Sequence, residues 1–538
     1  MRFSQFKKLG LLGMAIAILS GCVRTASDIS LSENPTSSEE PFINNLNGGV
    51  YYEIFVRAFA DSDNDDVGDF NGITGKLEYL QDMGFSDLWL MPINPSPSYH
   101  GYDVIDYQAV NSDYGTMADF ENLVLEAKNH NINIIIDWVL NHTSSAHPWF
   151  LASAEQVTSG RALNPGETDY RDYYNWIYGE KPADYTEYQS TNWFYEENFQ
   201  GGGMPDLNLE NQEVVDLLFE SAAFWLEKGV NGFRLDAVKY CFENTEKDVA
   251  FLGAFKDYVK AINPDAFIVA EDWSPEAHML AYYTSGIDAF FAFEASETGG
   301  KVAYSVVNGY GQNLATYITS LHEKIKQKNS NGYVSLFLSN HDQNRIGGMQ
   351  PVGSTLGLNY AKAMASSYLL SPGHPFVYYG EEISLRGSGS DQNKRLPMLW
   401  GRGDNRVYET APVEGSNYPL DAQVRVGAFD ALEDPWSLTS HYRNVLRMRN
   451  KYQIFSDGVP NVLPLENTHL MGLTFTHQDS ELFPNTVHVI HNFYDLAIKF
   501  TTDYQVVDEI RANDTTPVTI GVTGEVTIAP YSTLILQS

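Results

Sequence analysis

The sequence predicts an α/β protein: a (β/α)8 TIM barrel with a small domain inserted after strand 3 and a C-terminal antiparallel β-sandwich. Three observations predict it. Eight strand-like apolar runs lie between residues 50 and 381, and helical patterns separate them. Beyond about Lys451 the pattern changes to short alternating segments.

The eight runs are VYYEIFVRAF, FSDLWLMPI, NINIIIDWV, GVNGFRLDAV, AFIVAEDW, IDAFFAFEA, YVSLFLSNHD and HPFVYYGEE. Near-continuous apolarity suits strands buried on both faces of a parallel sheet. Between them lie amphipathic stretches such as ITGKLEYLQDMG (73–84), MADFENLVLEAKNH (117–130) and VVDLLFESAAFWLEKG (214–229). The eighth helix is expected at WSLTSHYRNVLRMRNKY (436–452), after a long loop. From 144 to 205 the chain is aromatic, glycine-bearing and poorly periodic, so this stretch reads as the inserted domain. The barrel then comprises residues 46–143 and 206–452. Residues 453–538 hold LMGLTFTHQ, TVHVIHNFY, AIKFTTDY and STLILQS, alternating segments punctuated by turns, and read as the β-sandwich.

The N-terminus reads as a targeting signal. Arg2, Lys7 and Lys8 precede an apolar run, Leu9 to Leu19, too short to remain as a spanning helix. Leu19-Ser20-Gly21-Cys22 follows and resembles the lipobox of bacterial lipoproteins, which implies cleavage of residues 1–21 and lipidation of Cys22. Residues 22–45, rich in Ser, Glu, Asn and Thr, read as a flexible tether. The expected location is the cell envelope, lipid-anchored outside the cytoplasm. Val23, where an aspartate would favour inner-membrane retention, points to the outer membrane or periplasmic face. Cys241, the only other cysteine, leaves no disulfide framework. The net charge of −35 repels nucleic acid and anionic lipid, so a neutral partner is expected.

Three acids end three of the strand runs: Asp236 in GVNGFRLD, Glu271 in AFIVAED and Asp342 in VSLFLSNHD. A parallel barrel delivers catalytic side chains from several strand ends onto one rim. A pair of carboxyl groups there can cleave a glycosidic bond, one as nucleophile and one as proton donor. The competing reading is a set of strand-end acids in loop hydrogen bonds. Arg234, two residues before Asp236, shares its face because strand side chains alternate, and its guanidinium would keep Asp236 ionised. A second acidic feature, DSDNDDVGD (61–69), offers Asp61, Asp63, Asp65 and Asp69 side chains and the Val67 carbonyl to a calcium ion. It departs from an EF-hand, with Asp66 at the turn glycine and Gly72 at the bidentate glutamate. A solvated acidic turn is the alternative.

DWVLNH (137–142), GFRLDAVKY (232–240), Glu271-Asp272-Trp273, FLSNHD (337–342) and MPDLN (204–208) together resemble the signature regions of the α-amylase family, glycoside hydrolase family 13. The resemblance implies that Asp236 is the nucleophile, Glu271 the acid/base and Asp342 a binder of sugar hydroxyls. It implies that His142 and His341 hydrogen-bond the same sugar and that Tyr102 is the aromatic platform beneath it. Asp103 and Arg395 match a pair that grips the non-reducing sugar end in exo-acting relatives, and Lys239 matches a residue on the leaving-group side. Ala237, after the nucleophile, favours α-1,4 over α-1,6 linkages. MPDLN resembles the group intermediate between oligo-1,6-glucosidases and neopullulanases, and Tyr240 replaces a frequent histidine. Relatives carry a similar metal loop after the first strand. A second family calcium site at Asn141 and Asp206 stays open. The expectation is a glycosidase acting on starch-type α-glucans or maltooligosaccharides. The rivals are an α-glucosidase or neopullulanase-like oligosaccharidase, a transglycosylase, and a non-catalytic glucan-binding lipoprotein.

Overall fold

The computed structural model describes residues 49–349, 355–401, 409–419, 422–477 and 486–538. The signal segment, Cys22 and the tether lie outside the described residues. In chain order the first strands are β1 (Tyr51–Ile54), β2 (Asp87–Leu90) and β3 (Asn133–Trp138). The excursion after β3 adds β4 (Trp176–Tyr178), β5 (Tyr185–Glu187) and β6 (Trp193–Glu196), an antiparallel sheet of order β4-β6-β5. The remaining barrel strands are β7 (Gly232–Leu235), β8 (Phe267–Ala270), β9 (Ala289–Phe291), β10 (Tyr333–Ser335) and β11 (Phe376–Tyr378).

All eight expected barrel strands form, in the order β10-β9-β8-β7-β3-β2-β1-β11, and every pair is parallel. Closure between β10 and β11 is made by a single parallel bridge, Phe337 to Phe376, with Phe376 N–H donating to Leu336 O at 2.8 Å. The ladders are shorter than the apolar runs that announced them. The first run illustrates this: β1 stops at Ile54 and Val56–Phe59 coil into a helical turn, although nearly all of these residues are buried. Burial on all sides erases the period-2 signal that would mark a strand end.

Strand alternation sorts the side chains into two shells. Tyr52, Ile54, Leu88, Ile136 and Phe233 point outward into the core shared with the helices. Tyr51, Trp89, Ile135, Val269, Phe291 and Phe376 point inward and plug the barrel, with Tyr51 and Phe376 stacked at 4.6 Å. Two residues further along each strand, the same inward parity brings Glu53, Asp137 and Glu271 above that plug. Gly232 is where β7 enters: its φ is +151°, and a Cβ would sit 1.9 Å from Phe267 O. Only glycine allows that strand to lie so close to β8.

The C-terminal region folds as two antiparallel sheets, as expected. One has the order β12-β13-β14-β18-β16 and the other pairs β15 with β17, the strands being β12 (Val459–Val462), β13 (Leu470–Thr476), β14 (Val487–Asn492), β15 (Ile498–Thr502), β16 (Gln505–Ile510), β17 (Gly524–Ile528) and β18 (Thr533–Gln537). Leu470, Ile490 and Leu534 of the first sheet meet Ile498, Val526 and Ile528 of the second in one core. The eighth helix, Leu438–Lys451, returns to the barrel. Its Arg449 is fully buried and donates to the carbonyls of Leu369, Ser371 and Gly373, at the turn that feeds β11.

Just past β11, Glu381 and Glu382 are both buried. Tyr368 and Tyr442 each donate to Glu381 Oε1 at 2.7 Å, and Tyr52 and Tyr79 donate to Glu382 Oε1 at 2.7 and 2.9 Å. Burial pushes the Glu381 carboxyl up to about 7, against the pull of its two tyrosines. The folded state therefore holds this proton more tightly than the unfolded chain does. Stability from this group is fully present below the unfolded value and falls as pH rises toward 7. Glu381→Gln keeps an acceptor for the tyrosines and removes the ionisation. It is expected to raise Tm at pH 8, by roughly 1–3 kcal/mol in stability, and to lose that advantage at pH 5 in a calorimetric comparison.

Candidate active site

The site grows out of the barrel's charged layer. Arg234, on β7, is completely buried. Its Nη1 donates to Asp137 Oδ1 at 2.8 Å and to Asp236 Oδ1 at 2.7 Å, and its Nη2 donates to Glu271 Oε2 at 2.6 Å. Trp89 and Tyr102 pack against its flat face, 5.1 and 5.8 Å from ring centre to guanidinium carbon. Burial works against the arginine's charge, but the acids around it outweigh that burial and hold its pKa well above the ordinary value. One cation thus aligns three strand-end carboxylates. Asp236 and Glu271, joined through a single guanidinium, stand side by side.

Their remaining oxygens have different surroundings. Glu271 Oε2 accepts from Arg234 and from the Ala237 amide at 3.3 Å, so a proton on this carboxyl belongs on Oε1. Burial pushes Glu271 up to about 7, opposed by Arg234 and reinforced by Asp236 and Asp342. It is a proton donor poised near neutrality. Asp236 spends only Oδ1 on Arg234 and keeps Oδ2 without a hydrogen-bond partner among the described residues.

Asp342 stands across the cleft. Its Oδ1 accepts from Arg395 Nη2 at 2.7 Å and its Oδ2 lies 3.1 Å from His341 Nε2. Burial would raise Asp342, but His341 and Arg395 overcome it and hold the carboxyl well below the usual range. Burial would likewise lower His341, yet Asp342 and Glu53 win and lift it to about 9. A protonated His341 donates through Nδ1 to Glu53 at 2.6 Å and through Nε2 toward Asp342 and the Tyr102 hydroxyl at 2.6 Å. Tyr102 in turn donates to Asp137 at 3.2 Å, and its ring stacks on His341 at 5.5 Å. Tyr102 is therefore held by both walls of the site.

The cleft above these groups has a volume of about 620 Å³ and includes Asp236, Glu271 and Asp342 together with Tyr102, His142 and Arg395 in its wall. His142 is buried, burial lowers its pKa, and its Nε2 has no partner among the described residues. That atom is free for a ligand hydroxyl. Lys239 also lines the cleft and donates to the Trp273 carbonyl at 2.9 Å. Trp273, 43% exposed, stacks on Phe293 at 4.8 Å.

Asp103 is buried and its Oδ1 accepts from Ser96 and Ser98. Arg395 donates to Asp342 and lines the cleft. One expectation needs correction. In the acidic loop, Asp61, Asp63 and Asp65 gather with ligand oxygens within 4.8 Å of one another, but Asp69 turns away. Both Asp69 oxygens are used, by Ser62 and by the Gly72 amide that opens the next helix, because Asp69 is that helix's N-cap. Val67 contributes its N–H to Asp65 Oδ1 at 2.8 Å. Asn141 and Asp206 do meet, at 2.8 Å, and burial pushes Asp206 up to about 8.

The sequence reading passed over Glu53 and Asp137, which brace His341 and Arg234. Both were legible as charged residues at inward positions of otherwise apolar strands. His100, Phe199 and Met204 also wall the cleft, but they arrive on loops that carry no periodic signal.

A parallel barrel whose rim clamps an acid pair at an open cleft defines a glycosidase, an O-glycosyl hydrolase. The chain belongs to the α-amylase family: the family model described as "Alpha amylase, catalytic domain" matches residues 53–458. It is 36% identical over 510 residues to Alpha-amylase 3 of Dictyoglomus thermophilum, spanning 93% of this chain and 94% of that protein. Glucan 1,6-alpha-glucosidase of Streptococcus pneumoniae is 29% identical, over 75% of this chain and 84% of its own. Among solved structures, Eubacterium rectale Amy13B superposes with a TM-score of 0.84 at 31% identity, covering 91% of this chain and 95% of the other.

Because Glu271 must carry its proton to act as an acid, kcat/KM is expected to fall tenfold per pH unit once pH exceeds about 7. Arg234→Lys keeps a charge but loses the fork. It should lower kcat by roughly 10²–10³-fold and move the basic limb upward, since Arg234 pulls Glu271 down. A pH profile of both proteins checks this.

Proposed function

We propose that the protein is a retaining hydrolase of α-1,4-glucosidic bonds in starch-type glucans or maltooligosaccharides. The observation that carries the reading is the shared guanidinium of Arg234, which sets Asp236 and Glu271 side by side. Adjacent carboxyl groups suit a covalent intermediate, whereas an inverting pair must stand further apart to admit water.

In the proposed sequence, Asp236 Oδ2 attacks the anomeric carbon while Glu271 Oε1 protonates the departing glycosidic oxygen. The C–O bond to the leaving sugar breaks as the ester to Asp236 forms. Glu271, now a carboxylate, removes a proton from water, whose oxygen displaces Asp236. Asp342, kept ionised by His341 and Arg395, binds ring hydroxyls more strongly as charge develops on the sugar. Tyr102 supports the ring from below.

The relatives' names divide between an α-amylase and an α-1,6-glucosidase. Ala237 tips the reading toward α-1,4 linkages. It has a left-handed φ of +46°, which a β-branched residue adopts only under strain, and it lies in the cleft wall between the two acids. A time course on amylose, pullulan, isomaltose and maltotriose tests this. The expected products are short maltooligosaccharides of retained anomeric configuration from amylose, with isomaltose left intact. Early appearance of oligomers longer than maltotriose would instead indicate transfer to a sugar acceptor. Asp236→Asn should reduce hydrolysis by about 10³-fold or more; substantial activity in that variant would sink the assignment.

We also propose calcium at the loop of Asp61, Asp63 and Asp65. Three carboxylates with converging oxygens, two of them exposed, are a hard-cation donor set, and Asp63 is raised by desolvation and by Asp65, Asp61 and Asp69, a repulsion that a cation relieves. The ion would stabilise the loop after β1 and take no part in bond cleavage. Calcium is expected to raise Tm by about 5 °C over a chelator-treated sample, and Asp63→Ala should abolish that difference. Equal Tm values with and without calcium would refute it.

A further inference from the structure

The outer surface of the barrel carries two exposed tyrosines at the junction of adjacent helices. Helix Lys301–Asn308 buries Val302, Ala303, Ser305 and Val306. Its outward positions would ordinarily be charged, yet Tyr304 stands there at 54% exposure. Tyr310, which leads into helix Gly311–Lys328, is 41% exposed. The two rings lie 5.8 Å apart with their planes inclined at 52°. Neither hydroxyl has a hydrogen-bond partner among the described residues. Tyr52, Tyr79, Tyr368 and Tyr442, by contrast, all donate to buried carboxylates.

The C-terminal region extends this surface. The carbonyl of Gly309, between the two tyrosines in sequence, lies 2.9 Å from His469 Nδ1, and His469 stacks on the exposed Tyr494 at 4.4 Å and 4°. Gly309 has a φ of +68°, and a Cβ there would sit 2.3 Å from His469 Nδ1. Glycine is what lets the loop before β13 approach so closely. Gln312 Nε2, donating to Leu470 O at 3.0 Å, ties the same two segments together. The rings are thus held on a rigid base, which limits the ordering cost of binding.

We infer that the Tyr304–Tyr310 wedge is a second α-glucan-binding site, outside the catalytic cleft, that holds polymeric substrate against the enzyme surface. None of its residues lines the cleft. Open aromatic faces suit the apolar faces of sugar rings, and free hydroxyls suit their rims. Two rings inclined to one another match an α-1,4-linked chain, whose successive glucose units turn along a curve; a flat surface would match a straight glycan better. The strongly acidic character of the chain disfavours anionic polymers and anionic lipid as occupants. The inference rests on the α-glucan reading of the active site. Linking a polymer at two points raises its effective concentration at the cleft.

The test uses the full chain. Affinity electrophoresis in gels containing amylopectin compares Asp236→Asn with the same protein also carrying Y304A and Y310A. The double alanine change is expected to weaken apparent affinity roughly tenfold and to leave Tm unchanged. In the active enzyme it should lower kcat/KM on soluble starch several-fold while leaving maltotriose hydrolysis at the parent rate. Y304F with Y310F should keep most of the retardation. Parent-like retardation of the alanine pair would overturn the inference, as would equal losses on starch and maltotriose. Failure of the active-site reading is seen separately, as wild-type protein that leaves maltotriose intact; the gel comparison still judges the surface site.

Discussion

A fully buried guanidinium is the interaction on which the rest of this structure depends. Arg234 satisfies Asp137, Asp236 and Glu271 together, and a buried charge of either sign without the other would be costly. Three strands are thereby committed to one register, because a shift of one residue in β7 would turn Arg234 into the apolar shell outside the barrel. The aromatic plug beneath it removes water from that layer. Coulombic effects are correspondingly strong there, and a single arginine can bias two carboxyl groups at once. The catalytic chemistry and the barrel's own cohesion draw on the same ion cluster.

The opposite wall follows similar logic with a different outcome. His341 sits between Glu53 and Asp342, and Arg395 closes the far side. Two cations face Asp342, whereas Glu271 shares its one cation with two other acids. That asymmetry separates a carboxylate held charged from an acid that can still release its proton. Similar side chains are assigned different tasks by counting neighbours.

Much of this was readable from residues in order. The eight apolar runs gave the barrel because burial on both faces leaves a recognisable signature, and the two-residue spacing of Arg234 and Asp236 placed them on one face. Legibility stopped where local and distant partners compete. Ser96 and Ser98 occupy Oδ1 of Asp103, contacts that no spacing in the sequence announced. Asp69 fits the alternating pattern of a metal loop and equally fits a helix cap, and the cap prevailed. Val56–Phe59 read as strand because nothing in a wholly buried stretch marks where pairing ends. The cleft walls come from separate loops, where only chain geometry decides which residues meet.

The narrow join between β10 and β11 sets an order of events for the newborn chain. Arg449 buckles the turn before β11 by gripping backbone oxygens as far back as Leu369, 80 positions earlier. A ring fastened by a clasp made so late stays ajar while the ribosome is still working. Until that helix emerges, the nascent protein carries an unsealed edge, and its protection during that interval falls to whatever shields exposed sheet margins in the cell.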